Sequence, residues 1–60
     1  MTKQEMKETA KRQYMAAVHE AKTAKEYYVG KRQYKNAIAD MILLLKLATI
    51  EELQEWENMV

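Results

Sequence analysis

Sixty residues with no cysteine, no proline, one glycine and a formal net charge of +1 point to a single small domain near the lower size limit for folding alone. The missing cysteine excludes disulfides and thiolate metal sites, and a lone histidine, His19, argues against a structural zinc centre. Plentiful Ala, Glu, Lys, Gln, Leu and Met predict an all-α fold, and so short a chain, with about 1.5 kcal/mol of ordering entropy per residue to offset, is expected to recover stability by self-association.

The first helix is expected over about residues 3–28. Thr2 can act as its N-cap, with Glu5 at capping-box spacing. At 100° per residue Met6, Ala10, Tyr14, Ala17, Ala21, Ala24 and Tyr28 share one stripe. Alanine buries little area but lets a neighbouring helix approach closely. Continuing that stripe past Gly30 would place Lys31 or Arg32, then Lys35, in the seam. A turn at about Val29–Lys31 with Gly30 as terminator is therefore expected. The alternative is one long helix through Gly30, at a cost of about 1 kcal/mol.

The second helix, about residues 32–47, holds the only run of large aliphatics, Ala37 to Ala48. Tyr34, Ile38, Met41, Ile42, Leu45 and Ala48 fall on one face and are expected to form the core. Leu43 and Leu47 lie opposite, with Leu44 between, so the helix is apolar over more than one face and needs more than one partner. Leu43, Leu44, Leu47 and Ile50 are accordingly the expected oligomer interface. The run is too short for a bilayer, which takes roughly 20 apolar residues. No membrane contact is expected.

A third helix is expected over about residues 50–58, with Thr49 as N-cap, Glu52 closing a capping box, and Ala48 and Leu53 at the staple positions. The alternative is that the second helix runs on through Thr49. Ile50, Leu53, Trp56 and Val60 would share its apolar stripe. The predicted architecture is an antiparallel helical hairpin plus a short C-terminal helix, assembled as a dimeric or higher bundle.

Charge is divided unevenly. Residues 1–36 carry nine basic and four acidic side chains, whereas residues 37–60 carry Lys46 against five acids. The tetrad Lys11-Arg12-Gln13-Tyr14 recurs as Lys31-Arg32-Gln33-Tyr34. It can be read as phosphate contact with stacking tyrosines, or as core-edge tyrosines flanked by solubilising charge.

Catalysis is not expected. There is no serine or cysteine nucleophile, and one glycine cannot make a phosphate-cradling loop. His19 and Glu20 are adjacent on a helix and do not face each other. Glu51, Glu52 and Glu55 resemble no calcium loop. No cofactor or metal is called for.

Two functions remain. The first is a cytoplasmic, self-associating regulatory protein, such as an inhibitor or accessory factor of the size phages and mobile elements encode. It would bind another protein through Trp56, Leu53, Tyr27, Glu52 and Glu55, because tryptophan and tyrosine ringed by polar groups are favoured at binding hot spots; the other reading of Trp56 is that it closes one end of the bundle by packing on the first helix. The second is a DNA- or RNA-binding protein using Lys11, Arg12, Lys31, Arg32 and Lys35. The small net charge and the interspersed glutamates weigh against it. A purely structural assembly role is a third class.

Overall fold

The computed structural model describes residues 2–24 and 29–60, of Val29 the backbone alone. Among these residues there are three helices and no strand: α1 (Lys3–Thr23), α2 (Val29–Leu44) and α3 (Ile50–Asn58). Both expected N-caps are formed. The Thr2 hydroxyl accepts the Glu5 amide at 3.2 Å. Thr49 and Glu52 make a reciprocal capping box, each side chain accepting the other's backbone N–H at 3.2 Å. Thr49 therefore starts a new helix, and α2 does not run through it.

The boundaries around Gly30 differ from expectation. α1 ends at Thr23, and Ala24 is extended with φ −70° and ψ 148°. The Thr23 hydroxyl donates to the His19 carbonyl at 2.9 Å and the Glu20 carbonyl at 3.3 Å, the local back-bonding of a helical threonine onto the preceding turn. Gly30 lies inside the first turn of α2, at an ordinary negative φ, so it is not the terminator. The stripe residue Tyr28 and the candidate Tyr27 lie outside the described residues.

The hairpin is antiparallel. Lys31, at the start of α2, pairs with Glu20 near the end of α1 at 3.0 Å. At the other end, Lys3 and Lys7 of α1 share a groove with Leu43 and Leu47. Ala10, Tyr14, Ala17 and Val18 from α1 form one wall of the core, Ile38 and Ile42 from α2 a second, and Leu53 and Trp56 from α3 close it. Of the described stripe, Ala10, Tyr14 and Ala17 are buried and Ala21 and Ala24 half-buried, with large side chains filling against small ones, whereas Met6 is exposed. Val18, fully buried, lies beside that stripe and was not part of it.

Helix α2 is rotated about its axis relative to the expected orientation. Ile38 and Ile42 are buried and Leu43 and Ala39 pack against the core, but Tyr34, Met41 and Leu45 are exposed. The buried sector is thus centred between Ile38 and Leu43, against α1, the helix on which α2 chiefly packs.

Leu47 reverses its expected role for a different reason. The helix stops at Leu44, and Lys46 takes a left-handed backbone conformation at φ 56°. The Lys46 amide bonds to the Leu43 carbonyl at 3.1 Å and the Leu47 amide to the Ile42 carbonyl at 3.0 Å. These two bonds are the Schellman motif, whose accompanying apolar contact brings Leu47 back over Ile42. Leu47 is consequently 8% exposed and belongs to the core. Lys46 is a β-carbon-bearing residue where glycine is favoured. Lys46→Gly is expected to raise stability by about 0.5–1 kcal/mol, measured as a higher urea midpoint at unchanged slope.

Candidate interaction surface

The expected protein-binding cluster around Trp56 is not a surface. Trp56 and Leu53 are each 5% exposed. The Trp56 ring lies 6.4 Å from that of Tyr14 at a tilt of 58°, and the Lys11 ammonium sits 5.9 Å above it. A 60-residue core contains few large side chains, so its one tryptophan is recruited to fill it. Glu52 is occupied by its cap and by Lys7 at 2.6 Å. Of the described members of this cluster only Glu55 is freely exposed.

Glu57, which the sequence pattern did not single out, is the junction of the three helices. Its carboxylate accepts Lys35 of α2 at 2.9 Å and, over a long 3.5 Å, the Tyr14 hydroxyl of α1. Its carbonyl and that of Val60 accept the Lys22 ammonium at 2.9 and 3.1 Å. α3 has no basic residue in its own last turn, and Lys22 supplies from α1 the positive charge that a helix C-terminus favours.

The environment sets the ionisation of two of these groups. Burial, then the Glu57 charge, then the hydrogen bond to Glu57 push the Tyr14 hydroxyl above its ordinary 10.0. The folded chain holds that proton where the unfolded chain has lost it. The associated stability is therefore complete below pH 10.0 and is lost as pH rises through the folded value. The thermal midpoint is expected to fall above about pH 10, and to fall less in Tyr14→Phe. Glu52 behaves oppositely: hydrogen bonds from Lys7 first and the Thr49 backbone second hold it below 4.5. Its contribution is present above that value and is lost as acid protonates the folded carboxylate.

The basic candidates are dispersed. Lys31 pairs with Glu20, Lys35 with Glu57, and Lys11 lies over Trp56. Arg12 and Arg32 are exposed. The repeated tetrads diverge in role, since Tyr14 is buried and Tyr34 is 58% exposed.

The expected oligomer residues divide. Leu47 is core and Leu43 is half-buried against it, whereas Leu44 is 81% exposed and Ile50 also faces outward. Beside Leu44 on the outer side of α2 lie Tyr34, Met41 and Leu45, with the exposed Gly30 and Ala37. At 100° per residue these six positions fall within about 100° of one another. They form a stripe immediately alongside the buried sector of Ile38 and Ile42. α2 is therefore apolar over more than its core face, as its composition implied, but through different side chains.

Among the described residues, two of the shallow recesses that flank the bundle are lined as follows. One of about 510 Å³ has an apolar floor of Leu43, Leu47 and Ala48 rimmed by Lys3, Lys7, Lys46 and Glu52. The other, about 290 Å³, lies between α1, α2 and Glu57. Among the described residues no helix is long and apolar enough to cross a membrane. Comparison with protein-family models, with curated proteins and with solved structures finds no match for this chain.

Proposed function

We propose that this chain is a small non-enzymatic interaction protein that self-associates through the outer face of α2 and acts by binding a protein target. The observation that carries this is the outward stripe Tyr34, Met41, Leu44 and Leu45. The surface as a whole points the same way. Its 4611 Å² is about 500 Å² more than the roughly 4,100 Å² that size scaling gives for a folded monomer of this mass. A regulatory role, as an inhibitor or accessory factor, suits a chain that offers contact surface and no grouping of catalytic side chains. Nucleic-acid binding is the weaker alternative because Lys31 and Lys35 are already engaged by Glu20 and Glu57.

Affinity capture from the source cells with wild type and Leu44→Asp side by side tests the proposal. A protein partner held by the wild type and little affected by salt is the expected result, and its loss in the monomeric variant would report that binding requires the self-associated form. Retention of DNA or RNA instead, falling steeply with salt, would overturn it.

A further inference from the structure

Resting on the self-association reading above, we propose that the face is covered by a second copy, with α2 packed antiparallel on the other α2 about a two-fold axis beside Ala37. Gly30, Tyr34, Ala37, Met41 and Leu44 follow one another at intervals of four, three, four and three residues, the spacing of a seam between two helices. All five are exposed in the single chain. The seam is about 21 Å long at 1.5 Å per residue.

Direction and register follow from size and charge. With the axis at Ala37, Gly30 of one copy faces Leu44 of the other, and Tyr34 lies beside Met41. A missing side chain is thus matched to the most exposed leucine. Among the described residues nothing requires glycine at position 30: its φ is ordinary, and a β-carbon there would meet none of them within 4 Å. Glycine is a poor helix former, and close approach by a second molecule supplies a reason for it at this position. The cations of α2, Lys31, Arg32 and Lys35, all lie near its start, while its one acid, Asp40, lies toward its end. Antiparallel packing keeps the Lys31, Arg32 and Lys35 sets of the two copies at opposite ends of the seam and opposes the two helix dipoles. A parallel pair would gather six cations at one end.

The chain has no cysteine, so single-cysteine variants of the whole chain report the arrangement directly. Ala37→Cys is expected to form a disulfide-linked dimer on mild oxidation, since residues on the axis fall within bridging distance. Leu44→Cys is not, because the two copies of residue 44 lie about 20 Å apart. Tyr34→Cys mixed with Met41→Cys is expected to give the heterodisulfide. All four positions are exposed or half-exposed, so folding is retained. Equal cross-linking at 37 and 44 indicates a parallel pair and overturns the proposal. A wild type that sediments as a dimer while Ala37→Cys stays unlinked overturns the arrangement but leaves self-association standing. A wild-type monomer overturns both.

Discussion

Trp56→Ala is expected to unfold the chain in dilute buffer, with loss of both helical circular dichroism and a cooperative thermal transition. Removing a buried tryptophan costs about 3–5 kcal/mol, and a single core in a chain below 70–80 residues supplies about 3–5 kcal/mol in all. The effect is compounded here, because the ring is the surface against which Tyr14 and the Lys11 ammonium rest. Emptying its place leaves α3 with Leu53 as its one other buried side chain. The same substitution consequently cannot serve to map a binding surface: lost partner binding in Trp56→Ala would report an unfolded protein. Trp56→Phe keeps most of the volume and is expected to fold with reduced stability. A Trp56→Ala chain with wild-type helicity and thermal midpoint would show that α3 is not anchored through this ring.

Leu47→Asp and Leu44→Asp are expected to separate folding from assembly. Leu47 is 8% exposed and seated over Ile42 by the left-handed Lys46 turn. A carboxylate there is buried without a partner, at a cost of several kcal/mol, and the chain unfolds. Leu44, 81% exposed, is three residues away and lies in the α2 seam. Surface substitutions outside special features change stability by about 0.5 kcal/mol or less. Leu44→Asp is therefore expected to remain helical and become monomeric. Leu45→Asp, also exposed, is expected to follow Leu44→Asp, although the helical wheel alone would place residue 45 in the core and residue 47 outside. Sedimentation and circular dichroism on the three variants check this. A folded Leu47→Asp would contradict the placement of that side chain.

Which parts of this fold were legible in the sequence depends on how local their causes are. The caps at Thr2 and Thr49 are set by side chains three residues apart and were readable directly. The alanine stripe of α1 was readable because a helix of 21 residues repeats its pattern many times. The rotation of α2 was not, since a run in which nearly every residue is apolar carries little phase information, and the buried sector is set by how the helix seats on α1. The turn after α2 was hidden because a lysine occupies the position where glycine is the usual signal. Gly30 misled in the other direction: it reads as a stop signal yet sits in the first turn of a helix. Trp56 could be read as a binding residue ringed by glutamates or as the closure of one end of the bundle on the first helix, and the second holds: the ring packs on Tyr14 and Glu57 turns its carboxylate back toward Tyr14 and Lys35. The surface that did emerge uses Leu44, which the composition of the run had placed at an interface, with Tyr34, Met41 and Leu45 in place of Leu43 and Leu47.

The central claim is that α2 has an apolar face that its own chain does not cover. Sedimentation equilibrium of the wild-type chain at micromolar concentration tests it most directly. A mass of at least twice 7.1 kDa, reverting to 7.1 kDa in Leu44→Asp, is the predicted result. A cooperatively folded wild type that stays at 7.1 kDa across the concentration range would contradict it.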